Sequence, residues 1–186
     1  MLDEIIAAAN GLCREQIIIA VDGRCAAGKT TLAAALERRT ECNVFHMDDF
    51  FLRREQRTSA RYAAPGENVD HERFLSEVLL PLKAKKRFCY RPYDPHGVGF
   101  KPPIEVEPKP LTVVEGSYCC HSELVRHYDL RIFMDISPEA QMRRIIKRNG
   151  EAVAKMFESR WIPLEEAYFN AFGVREKCEL YYKCED

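Results

Sequence analysis

The chain has 186 residues, with 28 Lys and Arg against 29 Asp and Glu and a formal charge of −1. That length suits one α/β domain with a sizeable core, and the charge balance sets aside a protein that coats nucleic acid or an anionic membrane. Hydrophobic residues at 46% and charged residues at 31% give globular rather than disordered composition.

In chain order, residues 16–22 (QIIIAVD) form a continuous apolar run, the signature of a strand buried on both faces of a parallel sheet. Good helix formers follow over residues 30–39, and residues 43–47 read as a second strand. Residues 70–80 are helical in spacing, with Phe74, Leu75, Val78 and Leu79 on one side, and Pro81 is expected to end or kink that helix. Residues 84–110 hold six of the ten prolines, plus Gly97 and Gly99, and read as surface strands and loops on the acceptor side of any site. Residues 111–115 (LTVVE) and 130–135 (LRIFMD) are two further buried strands. Ser137 and Pro138 open a helix over residues 138–148. Helices are expected at about 151–160 and 164–172, the second with Leu164, Ala167, Tyr168, Ala171 and Phe172 as its buried stripe, and a last strand at 179–183. The rhythm is that of one doubly wound parallel sheet spanning residues 1–186.

No apolar run approaches the ~18–20 residues of a spanning helix, and the acidic start MLDEII lacks the basic flank of a secretory leader, so a cytoplasmic location is expected. The eight cysteines show no CxxC or metal-ligand spacing and read as free thiols.

Residues 23–30 read GRCAAGKT, a full match to G-x-x-x-x-G-K-[ST], placed between an apolar strand and a helix. The loop residues Gly23, Arg24, Cys25, Ala26, Ala27 and Gly28, with Lys29, Thr30 and Thr31, are expected to cradle phosphates on backbone N–H groups at the positive end of the helix dipole. Lys29 would span the outer phosphates and the Thr30 hydroxyl would reach Mg²⁺. Asp48, in the run HMDDFF after the second strand, is placed to take a proton from an attacking hydroxyl, although such a pair also caps helices. Glu115 closes an apolar strand and suits Mg²⁺, directly or through water. Arg143, Arg144 and Arg148 share a helix with Lys147 opposite Met142, Ile145 and Ile146, as in a lid over about residues 143–160 that neutralises phosphoryl charge; a plain solvated face is the alternative.

These segments, with VDH at 69–71, YDPH at 93–96, VVEG at 113–116 and DISPEAQMRRIIKR at 135–148, resemble the uridine kinase and phosphoribulokinase family, with nicotinamide riboside kinase nearby. The resemblance implies a phosphate-loop NTPase-type fold with a short lid and ATP·Mg²⁺-dependent phosphorylation of a small-molecule acceptor, a nucleoside 5′-hydroxyl in uridine kinases. It makes Asp48 the base, sets Asp70 against sugar hydroxyls, and gives Tyr93 and His96 to the nucleobase. The residues also allow Asp70 as a helix cap, Tyr93 as an edge-strand aromatic and His96 as a surface residue. The chain departs from the family at Ala27, where Ser is common, in the tighter YDPH spacing, and in its shortened lid. Two other readings stand beside the nucleoside kinase. One is a kinase of a sugar phosphate, glycerate, pantothenate or nicotinamide riboside. The other is a non-catalytic nucleotide-binding switch, against which no guanine-reading N/T-K-x-D occurs. The sequence leaves homo-oligomerisation undetermined.

Overall fold

The computed structural model describes residues 1–95, 97 and 99–184. A helix with no counterpart in the sequence reading opens the chain: α1 (Leu2–Gly11) buries Ile5 and Ala9, one turn apart. β1 (Ile17–Gly23), buried throughout, leads through the phosphate loop into α2 (Lys29–Thr40) and then β2 (Asn43–His46). The second strand ends one residue earlier than expected, because Met47–Asp49 turn as a 3₁₀ helix that swings both aspartates out of the sheet.

Next come the short α3 (Ser59–Ala63) and α4 (His71–Phe74), which runs through a π-helical turn, Leu75–Leu79, into α5 (Leu80–Lys83). Pro81 therefore does not end the helix. It sits in the first turn after a π-turn that has already shifted the backbone pairing, where a missing N–H costs little. The same device recurs downstream. α6 (Pro138–Asn149) is followed by α7 (Glu151–Met156), a second π-turn at Phe157–Trp161, and α8 (Ile162–Phe172), whose Pro163 again falls just past the π-turn. The helices expected at 151–160 and 164–172 are thus continuous.

Between them, β3 (Phe88–Tyr90) pairs antiparallel with β6 (Ile104–Val106), and β4 (Tyr93–Asp94) with β5 (Gly99–Phe100). These are the surface strands expected of the proline-rich segment. The main sheet is completed by β7 (Leu111–Glu115), β8 (Leu130–Ile136) and β9 (Leu180–Cys184), in the order β2-β7-β1-β8-β9, all parallel.

Successive residues of β1 feed opposite cores. Ile18 and Ala20 face Phe74, Val78 and Tyr168, whereas Ile17, Ile19 and Val21 face Ile5, Leu32 and Leu36. Helices cover both faces, which makes the fold a doubly wound α/β sheet. The chain reverses direction across the sheet at β1, between β7 and β8, and ligand crevices in such sheets lie outside the carboxyl ends of those strands. No helix among the described residues is long and apolar enough to cross a membrane.

Candidate phosphate-transfer site

The loop between β1 and α2 is held in shape by its own glycines. Gly23 adopts φ +124°, and a Cβ there would lie 2.1 Å from the Met134 carbonyl oxygen, so only glycine fits against β8. Gly28 caps α2 at φ 96°, and Ala26 takes the left-handed region at φ 62°, backbone strain of the kind concentrated at ligand loops. The first turn of α2 points its N–H groups outward without intrahelical acceptors, an anion site by construction.

Lys29 is nearly buried, and its Nζ donates to the carbonyls of Gly23 at 2.6 Å and Arg24 at 2.9 Å, with Ser117 Oγ at 3.4 Å. The Thr30 hydroxyl donates to Glu115 Oε1 at 3.1 Å, and His46 Nδ1 stands 2.5 Å from the same oxygen. The bond to Glu115 raises the His46 pKa against the opposing effect of burial, which favours an imidazolium beside the carboxylate. Thr30 and Glu115 together offer the hard oxygens Mg²⁺ takes. Asp48 is exposed on the 3₁₀ turn, and among the described residues no hydrogen bond or ion pair holds its carboxylate. Desolvation by surrounding protein and the Glu115 charge raise its pKa, while Lys29, His46 and Arg148 pull it back. The sequence-expected base, lysine, hydroxyl and acid therefore converge.

Helix α6 crosses the loop. Arg144 donates to the Ala26 carbonyl at 3.1 Å, and the buried Gln141 donates to the Cys25 carbonyl at 3.1 Å. Arg148 and Arg143 are exposed, and Arg148 counts among the charges felt by Asp48. The apolar stripe differs from expectation: Ala140, Gln141 and Ile145 are buried and Ile146 is 42% exposed. Gln141 turns inward because the loop offers it a carbonyl.

On the acceptor side, Asp70 is buried and caps α4 through the Arg73 amide at 3.3 Å, while Arg53 Nε approaches the other carboxylate oxygen at 3.3 Å. The capping role is the one the structure displays. Tyr93 is buried, packs edge-on to Phe100 and bridges to Phe50; with Arg54, Asp94, Pro95 and Phe100 it lines a cleft of about 470 Å³. His96 lies outside the described residues.

Sequence reasoning missed four side chains. His46 carries no signal of its own within the run HMDDFF. Asp22, fully buried, accepts from the amides of Gly23 at 2.7 Å and Cys120 at 2.8 Å and from the Tyr168 hydroxyl at 2.7 Å, pinning the root of the phosphate loop. Ser117 donates to Glu165, and Glu165 accepts the Cys25 amide at 3.0 Å. Glu165 was hidden because α8 buries Glu165, Tyr168 and Phe169, whereas the expected Ala167 and Ala171 are exposed. The alternative phase 165, 168, 169, 172 was available in the sequence, but a glutamate on an apolar stripe argues against choosing it. Burial and the Glu165 charge push the thiol of Cys25, inside the loop, up to about 12, which disfavours the thiolate.

Residues 18–153 match the model of the phosphoribulokinase/uridine kinase family. The chain belongs to that family. The matched span covers the phosphate loop, Asp48, Glu115 and α6, and ends before α8. A phosphoribulokinase from Synechocystis sp. (strain ATCC 27184 / PCC 6803 / Kazusa) is 29% identical over 142 residues, which cover 72% of this chain but 42% of that relative. Among solved structures, a possible uridine kinase from Bacillus stearothermophilus superposes with a TM-score of 0.67 at 19% identity, covering 96% of this chain and 99% of its own. The phosphoribulokinase from Rhodobacter spheroides gives 0.61 at 20% identity, covering 91% and 70%. At these identities the superpositions establish the phosphate-loop α/β fold.

Proposed function

We propose that this family member is an ATP-dependent kinase of a small hydroxyl-bearing molecule. The observation that carries the reading is the convergence of Lys29, Thr30, Glu115 and Asp48, whose carboxylate has no partner among the described residues, around open helix N–H groups at the carboxyl edge of the sheet. The amides of α2 and Lys29 would bind the outer phosphates of ATP, and Arg144, Arg148 and Arg143 on α6 would serve as a lid that balances charge on the transferring group. Thr30 and Glu115 would hold Mg²⁺, which supplies charge neutralisation of the phosphates when bound. Asp48 would accept the acceptor's hydroxyl proton as that oxygen forms its bond to phosphorus and ADP departs. Desolvation and the Glu115 charge raise the Asp48 pKa, which makes its carboxylate a stronger base toward a hydroxyl proton.

For the acceptor, the family resemblance supports a nucleoside 5′-hydroxyl, with Asp70, Tyr93 and His96 around it. The burial of Asp70, with one oxygen on Arg53 and the other on the Arg73 amide, favours a second reading. An aspartate buried to 1% exposure and engaged on both oxygens is poorly presented to a ribose diol, and Arg54 beside the Tyr93 cleft suits an anionic acceptor such as a sugar phosphate. The deciding assay offers Mg·ATP with uridine, cytidine, nicotinamide riboside, ribulose-5-phosphate, pantothenate or glycerate, reads ADP release, and uses Lys29→Ala as blank. Acceptor-dependent release absent from the blank fixes both kinase and substrate class. Bound ATP with no acceptor effect across the panel would overturn the assignment in favour of a nucleotide-binding switch.

A further inference from the structure

The amides at the start of the phosphate loop are already committed to protein acceptors: Gly23 to Asp22, Arg24 to the Met134 carbonyl at 3.0 Å, and Cys25 to Glu165. Phosphate recognition is therefore left to the amides further along, at the head of α2. Lys29 is similarly committed. Its ammonium has three donors, and three acceptors surround it: the Gly23 and Arg24 carbonyls and Ser117 Oγ. A phosphate oxygen that engages Lys29 must displace or share one of these. The Ser117 contact, at 3.4 Å, is the longest, so its hydrogen is the one most open to sharing with a phosphate oxygen while Ser117 still holds the ammonium in place.

What keeps the Ser117 oxygen turned toward the lysine is its own hydrogen, which donates to Glu165 Oε1. The other oxygen of the same carboxylate takes the Cys25 amide at 3.0 Å. Glu165 is 4% exposed, so this is a desolvated carboxylate with both oxygens in use. Burial raises its pKa and the Lys29 charge opposes that rise. The next residue, Glu166, pairs with Arg24, so two consecutive acids of α8 grip consecutive loop residues.

We infer that Glu165 is a positioning residue for nucleotide binding: one oxygen fixes the phosphate-loop backbone at Cys25, and the other aims Ser117 so that Lys29 stands where it meets the incoming phosphates. This inference rests on the proposed binding of ATP at that loop. It adds a contribution from α8, beyond the segment shared with the family model. A glutamine at 165 keeps the shape and can take the Cys25 N–H on its carbonyl, but its NH₂ then donates to the Ser117 oxygen instead of accepting from it, which competes with Lys29 for that oxygen and frees the Ser117 hydrogen.

The test is ATP·Mg²⁺ affinity by titration calorimetry, without any acceptor, on the parent, Glu165→Gln, Ser117→Ala and the double variant, with thermal melts alongside. Each single variant is expected to bind ATP about tenfold more weakly, the size of one charge-assisted hydrogen bond. The double variant should be no weaker than the poorer single, because both act through one chain of contacts. Where turnover is measurable, KM for ATP should rise about tenfold while kcat moves less than about threefold. Affinity within twofold of the parent in Glu165→Gln, with or without a lowered melting temperature, overturns the inference, as do single effects that multiply in the double variant. If Glu165→Gln fails to fold, Ser117→Ala decides alone, and parental affinity there overturns it. A parent that binds no ATP overturns this inference and the reading beneath it, whereas ATP binding without turnover on any acceptor overturns only the kinase assignment.

Discussion

Thr30 and Glu115, 85 residues apart in the chain, meet at 3.1 Å from hydroxyl to carboxylate at the carboxyl edge of two adjacent strands. His46, on the strand at the other side of β7, reaches the same carboxylate oxygen. Three elements thus deliver a hydroxyl, an acid and an imidazole to one point beside Lys29. In Thr30→Val or Glu115→Gln the gain in ATP affinity on adding Mg²⁺ should shrink about tenfold, while affinity for metal-free ATP changes little. Calorimetry with and without Mg²⁺ checks this, and an undiminished gain would remove both residues from the metal's binding set.

Asp48→Asn preserves the shape of the 3₁₀ turn and removes the proton acceptor. Turnover with the identified acceptor should fall by about 10²–10⁴, the range of a lost general base, with ATP affinity within about threefold of the parent. Asp49 provides the contrast. Its carboxylate accepts from the Tyr90 hydroxyl at 3.4 Å and its backbone carbonyl from Arg73 at 2.8 Å, so Asp49→Asn should cost far less turnover.

Arg144 and Arg148 lie one turn apart on α6 yet address different partners, the Ala26 carbonyl and the charge on Asp48. Arg144→Ala should weaken ATP binding by about tenfold through the loop. Arg148→Ala should act mainly on kcat. Steady-state kinetics on the two variants separates the roles, and identical profiles would contradict the division.

His71 and His121 stack with ring centroids 3.9 Å apart, and both approach Glu67, at 3.2 Å and 3.6 Å. Burial and the neighbouring His71 lower the His121 pKa to about 4, with Glu67, Glu72 and Glu123 opposing. The unfolded chain, with an ordinary histidine near 6.5, binds a proton first as the pH falls. Stability is therefore complete above about pH 6.5 and is lost progressively toward pH 4, on the order of 3 kcal/mol. Melting temperature should drop by roughly 6–10 °C across that window for this group alone. His121→Asn should melt with a visibly flatter pH dependence; an unchanged slope would show that the imidazole is not the group responsible.

Gly23→Ala places a methyl 2.1 Å from the Met134 carbonyl oxygen at a φ that side chains rarely adopt. A loss above about 4 kcal/mol is expected, read as a collapse in soluble yield or melting temperature. Gly11→Ala, with no atom within 4 Å, should stay within about 1 kcal/mol of the parent.

By itself the sequence determined the parallel sheet and the phosphate loop, and it nominated Lys29, Thr30, Asp48 and Glu115 for the proposed site. Each is signalled locally: a fully buried strand must be apolar along its whole length, a loop that wraps phosphate needs glycines at fixed spacing, and strand-end acids in such sheets fall at the ligand edge by topology. The tertiary structure decided what depends on meeting distant groups. Pro81 and Pro163 are tolerated because π-turns realign the helices before them. Gln141 and Glu165 occupy inward faces because loop carbonyls and amides await them there. Asp70 is buried and engaged on both oxygens because Arg53 and Arg73 fold onto it. A polar residue on a buried face reads as an error in the pattern until its hydrogen-bond partner, far off in sequence, is brought alongside.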